Sequence, residues 1–218
     1  MIGVLRTIHA RASEVPYSLE RAARGARKVK TLALSYLSAG DPRRASDMAA
    51  AQYDAADNMT DRQGALAALA SSDAAERQGA LAAFYDRYRT DALVLDKWFT
   101  VQALATRDDT AETVEALARH PDFTLSNPNR LRSLVGAFAA NQRAFHDRSG
   151  RGYRFLADMI VAVDALNPQT AARLVPPLGR WRRFDEGRGE LMKAELARIL
   201  AHPGLSKDVF EQVSKSLA

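Results

Sequence analysis

The sequence predicts an all-α protein: an α-superhelix or solenoid of antiparallel helix pairs, with about eleven or twelve helices. Three observations predict it. No stretch of useful length alternates apolar and polar residues as a half-buried strand would. Apolar residues recur instead at three- and four-residue spacing, which puts them on one face of a helix. The segments are short and joined by turn residues, and three of them open with a cap followed by proline: Asp41-Pro42, Asn127-Pro128 and Asn167-Pro168.

Taken in order, residues 1–16 read as an N-terminal tail or a remnant of a preceding segment. Ile2, Val4, Leu5 and Ile8 make a short helical piece, and Pro16 stops it. Residues 17–218 read as one domain. Its first helix carries Val29, Leu32, Ala33, Tyr36 and Leu37, with Gly40 as a natural C-cap. The basic run from Arg21 to Lys30 alternates with Ala, Gly and Val, as a half-buried helix would. Asp41-Pro42 starts the next helix, to about Ala56. Thr60 to Gln63 fits a capping box and starts another. A helix from Asp73 to Tyr88 precedes Asp91–Leu104, whose apolar residues fall nearly all round and predict deep burial, with Trp98 and Phe99 in the core. Glu112 completes a capping box for a short helix from Asp109 to Arg119.

Asn127 and Pro128 then open a helix with Leu131, Leu134, Val135 and Phe138 on one face and Arg130 and Arg132 flanking it. Residues 141–152 are loop-rich. Tyr153–Leu166 is amphipathic. Asn167-Pro168 starts a helix that Pro176-Pro177 kinks or ends. Glu186–His202 and Ser206–Leu217 complete the chain.

Composition narrows function. The chain carries 31 basic and 26 acidic residues, but no dense block of Lys and Arg, so no basic stripe for nucleic acid is visible. It has no cysteine, which removes disulfides and thiolate metal sites. No apolar run reaches the roughly 18 residues of a membrane span, and no signal peptide stands out, so a soluble cytoplasmic chain is expected. His9, His120, His146 and His202 are far apart, none has a partner four residues away, and they read as surface residues. No His-Glu-x-x-His, Walker loop, dinucleotide fingerprint or nucleophile elbow occurs. The residues alone therefore describe a helical module without a catalytic constellation.

An ordered set of segments adds to this. It runs Asn58-Met59-Thr60-Asp61, Asp96-Lys97-Trp98-Phe99, Phe123 through Leu134, Phe145-His146, Gly152-Tyr153, Asn167-Pro168-Gln169 with Ala172-Arg173-Leu174, and Arg183-Phe184-Asp185. In this order and at these intervals, the chain from about residue 17 to 218 resembles the C-terminal domain of bacterial aminopeptidase N, of the M1 zinc metallopeptidase family. The resemblance implies an ARM/HEAT-like superhelix that closes over a separate catalytic domain and restricts access of peptide substrates. It implies zinc in that other domain, no metal or cofactor in this chain, and no activity of this chain alone. Its partners would be the catalytic portion of the same enzyme and, in the whole enzyme, peptides; nucleic acid and membrane are not implied.

The resemblance also singles out residues. Arg132 and Arg173 match arginines of the family that line the substrate chamber, where a guanidinium would meet a peptide carboxylate or an acid of the catalytic domain; alternatively, both tie helix ends or loops together. Asn127, Asn129 and Arg130 are expected to cap and lock the turn. The competing reading is a free-standing helical-repeat scaffold that binds a peptide or protein.

Overall fold

Every regular element is helical. The computed structural model describes residues 1–218 and contains fourteen α-helices, a π-turn and a 3-10 turn, with no strand. The segments outnumber the expected eleven or twelve because four of them have only 4–5 residues. No helix is long and apolar enough to cross a membrane. The chain divides into two compact units, Met1–Val101 and Gln102–Ala218, where the sequence suggested one domain.

In the first unit, the expected tail is a helix. α1 (Ile2–Ser13) packs along α2 (Arg21–Gly40), half-burying Ile2, Leu5 and Ile8 and burying His9. A stripe so thin does not mark a stable helix by itself; the neighbour makes it one. α2 buries Ala23, Arg27, Lys30, Ala33, Leu34 and Leu37, so the basic run does lie on a buried face. Gly40 is the last residue of α2 and not a left-handed cap, because Asp41 ends that helix and caps the next. α3 (Pro42–Ala55) starts with the Asp41 carboxylate accepting from the Arg44 N–H at 3.4 Å.

α4 (Met59–Ala70) is capped two residues before the expected capping box. Asn58, in extended conformation, accepts from the Asp61 N–H at 3.0 Å, which leaves no role for Thr60 as cap. Gly64 lets α4 approach α2 closely: a Cβ there would stand 2.6 Å from Thr31 Oγ1. α5 (Glu76–Tyr88) and α6 (Ala92–Ala103) follow. Trp98 is buried and its indole N–H donates to the Leu81 carbonyl at 2.9 Å; Phe99 is fully buried. Leu93, at 70% exposed, corrects the expectation that this helix is buried all round.

The second unit holds α7 (Thr110–Leu117), α8 (Pro128–Leu131), a π-turn (Arg132–Gly136), α9 (Ala137–Ala140), α10 (Arg151–Asp164), α11 (Pro168–Ala172), α12 (Pro176–Gly179), a 3-10 turn (Trp181–Arg183), α13 (Glu186–Leu200) and α14 (Lys207–Leu217). Glu112 does not close a capping box; its carboxylate pairs with Arg151 instead. Asp185 and Ser206 cap α13 and α14. Phe138 meets Phe145 and Phe155 edge-on, both at 5.7 Å between ring centres, and these rings anchor the core.

The loop after α9 is built, not slack. Asn141 donates to the carbonyls of Ala103 and Ala105 at 3.0 and 2.8 Å and accepts from the N–H groups of Arg143 and Ala144 at 3.2 and 3.1 Å. His146, expected at the surface, is buried. Its Nδ1 lies 3.0 Å from the Tyr153 hydroxyl and its ring stacks on Phe184 at 4.1 Å. Burial pushes the Tyr153 hydroxyl up to about 12.

His9 is buried as well, with Nε2 at 2.8 Å from the Gln52 amide oxygen. Burial lowers the pKa of both rings below the usual 6.5; Lys30 adds to this for His9, and Arg188 and Arg180 for His146. Below about pH 6.5 the unfolded chain therefore takes up protons that the folded chain refuses. Stability is full above that pH. It falls as pH drops towards the folded values, by up to about 1.4 kcal/mol per pH unit for each ring. Thermal melts at pH 7.5 and 5.5 check this, and a melting point that holds or rises on acidification contradicts it.

Candidate functional site: an arginine-lined groove

Residues 126–138 build one wall of the site. The Asn127 side chain accepts from the N–H groups of Asn129 and Arg130 at 3.0 and 3.3 Å, and Pro128 occupies the first helical position, where it wastes no donor. Leu131, Leu134, Val135 and Phe138 are all buried, so the apolar face read from the sequence is the inward one. What the spacing did not show is the π-turn at Arg132–Gly136, which widens the helix by one residue per turn at this point.

The two flanking arginines separate cleanly. Arg130 is 6% exposed, and its guanidinium donates to the Asp122 carbonyl, tying the connector before the helix to the helix itself. Arg132 is exposed. Its Nη1 lies 3.4 Å from the Asn129 side-chain oxygen, so Asn129 sits in the turn and also steadies the guanidinium. Gly136, one turn on, leaves room for the stem of Arg132: a Cβ there would stand 3.2 Å from Arg132 Cγ.

The opposite wall comes from α11 and α12. Asn167 accepts from the Thr170 N–H at 3.0 Å and starts α11, which ends at Arg173. Arg180 ends α12 in the same way. Between the walls lies a groove of about 380 Å³, with Leu174 and Pro177 at its apolar surface and Arg132, Arg173 and Arg180 around it. Two arginines far apart in sequence thus meet in one place. Arg180 is a third that the sequence reading missed; its only signal was the Pro176-Pro177 start of the short helix it ends.

None of these three guanidinium groups forms an ion pair in the chain, and all three are exposed. A larger cavity of the second unit, about 990 Å³ beside α7 and α10, differs in this respect. There Arg151 is held by Glu112 and Glu115, and Arg143 by Asp108. Its lining carries five arginines and five carboxylates, so its formal charges balance. The smaller groove keeps three free cations next to apolar surface, a combination that takes a carboxylate carried on an apolar or peptide body.

No three His, Asp or Glu residues are gathered so that they could hold a metal ion. His9 and His146 are engaged by Gln52 and Tyr153.

Comparison with known proteins places the chain. Residues 3–218 match a family model described as "Domain of unknown function (DUF3458_C) ARM repeats". Aminopeptidase N of Caulobacter vibrioides is 48% identical over 218 residues, which is 98% of this chain and 25% of that protein. The chain belongs to the C-terminal ARM-repeat domain family of aminopeptidase N. Aminopeptidase N of Escherichia coli is 38% identical over 93% of the chain and 23% of its own length. Among solved structures, aminopeptidase A of Legionella pneumophila, in complex with aspartic acid, aligns with a TM-score of 0.89 at 31% identity, over 98% of this chain and 26% of that one. The chain therefore spans about a quarter of the length of the relatives it matches. The ARM-repeat description agrees with the helical solenoid that the sequence predicted.

Proposed function

We propose that this domain covers the catalytic portion of an M1 zinc aminopeptidase, limits which peptides reach it, and presents Arg132, Arg173 and Arg180 to the chamber so formed. The observation that carries the reading is the groove itself: three unpaired guanidinium groups converge beside apolar surface. Exposed cations that lack a partner within the chain are suited to one outside it, and a bidentate fork suits the free carboxylate of a peptide. The zinc and the nucleophilic chemistry belong to the remaining three-quarters of the enzyme, which works in the cytoplasm; this domain alone hydrolyses nothing. What its own residues contribute is binding and orientation of the substrate's far end, which raises the occupancy of productive complexes.

Arg132→Ala in the full-length enzyme tests this. The expected result is a raised KM for peptides, with an unchanged melting temperature and unchanged hydrolysis of a single-residue anilide. Unchanged peptide kinetics would leave Arg132 a structural or idle residue and remove the reading. A free-standing scaffold, the other reading, predicts instead that the 218-residue chain binds a peptide or protein by itself.

A further inference from the structure

A second cavity, of about 470 Å³, lies wholly within the first unit, among α1, the turn after it, α2, α3 and the start of α4. Its buried wall carries two groups left incomplete by the protein. Arg27 is 8% exposed, and its Nε and Nη1 atoms are buried with no hydrogen-bond partner. Its one notable contact is the Tyr17 ring, 4.9 Å from the guanidinium carbon. Asp61 is also 8% exposed. Its Oδ2 takes Lys30 Nζ at 3.0 Å and the Asn58 amide at 3.3 Å, while its Oδ1 is buried and accepts nothing.

Buried charged groups are rarely left with open valences, because each open valence carries a desolvation cost. Here Arg27 and Asp61, a cation and an anion each with unpartnered side-chain atoms, line the same cavity. We propose that this cavity binds an apolar α-amino acid as its zwitterion, with the carboxylate on Arg27 and the ammonium on the open oxygen of Asp61. Neither end alone answers both open valences. The exposed acids Glu14 and Asp57 at the rim repel a multiply charged anion such as phosphate. Val15, Pro16, Met48 and Ala51 supply apolar surface for an aliphatic side chain. The proposal uses residues 14–61 only, so it is independent of the groove around Arg132.

The test is a titration of the 218-residue chain, with arginine ¹⁵N-labelled, followed at the Arg27 Nε–H resonance. L-Leucine is expected to shift that resonance saturably. L-Leucine methyl ester, which lacks the carboxylate, and 4-methylpentanoate, which lacks the ammonium, are each expected to bind about tenfold more weakly or less, the worth of one charge-assisted contact. Asp61→Asn should weaken leucine by a similar factor and leave 4-methylpentanoate unchanged. Ala51→Phe, which fills the cavity without touching the charged groups, should abolish the shift. No saturable shift of the wild-type chain up to roughly 50 mM leucine, where a millimolar site would be filled, overturns the proposal. Equal binding of leucine and either analogue overturns it as well.

Discussion

Replacing Gly152 by alanine is expected to destabilise the second unit by about 3 kcal/mol, a fall in melting temperature of roughly 10 °C. A Cβ at Gly152 would stand 2.4 Å from the Phe145 carbonyl oxygen and 3.0 Å from its Cα. The obstacle is backbone, so no side chain can swing aside. Moving that backbone disturbs the loop that Asn141 holds, the Phe145 ring against Phe138, and the contact of His146 with Tyr153. Gly79 is the control. It lies in α5 on an exposed face, with nothing near a Cβ, and alanine there should stabilise by up to about 1 kcal/mol. Thermal melts of the two variants check both signs. Equal shifts would mean that the close approach at Gly152 is not rigid.

Removing both Arg132 and Arg173 from the full-length enzyme is expected to lower kcat/KM for peptides with a free C-terminus by roughly 100-fold, about tenfold for each charge-assisted contact. Stability should be untouched, because both side chains are exposed and neither joins an ion pair. Arg130 behaves oppositely. It is buried and bonded to the Asp122 carbonyl, so Arg130→Ala should lower the melting temperature in the isolated chain. The two neighbours thus give separable outcomes, one in kinetics and one in folding.

Much of the fold was legible because its signals are local. The caps at Asp41, Asn127 and Asn167 were readable because a short polar side chain before proline needs only its own backbone to act. The inward face of Leu131, Leu134, Val135 and Phe138 was readable for the same reason. The failures are tertiary. Thr60 looked like a cap, but Asn58, two residues earlier, competed for the same role and won it. α1 looked like a tail because its apolar stripe forms only against α2. His9 and His146 looked like surface residues because their partners, Gln52 and Tyr153, lie on other elements.

The groove was half legible. Residue spacing alone gave no reason to join Arg132 to Arg173; the family likeness did. The π-turn and the open valences of Arg27 and Asp61 leave no mark in a sequence, because each is a fact about what stands nearby. The pairing of Arg151 with Glu112 and Glu115 is another such fact, and it is what separates the large neutralised cavity from the small cationic one.

The most direct measurement compares one tetrapeptide with a free C-terminal carboxylate and the same peptide amidated, in the full-length enzyme with and without Arg132→Ala and Arg173→Ala together. The groove, as a carboxylate site facing the chamber, predicts that the unaltered enzyme favours the free acid and that the double variant loses that preference while cleaving the amide as before. If the preference for the free acid survives the loss of both arginines, or if both peptides slow equally, the groove does not read the substrate's carboxylate and the central claim fails.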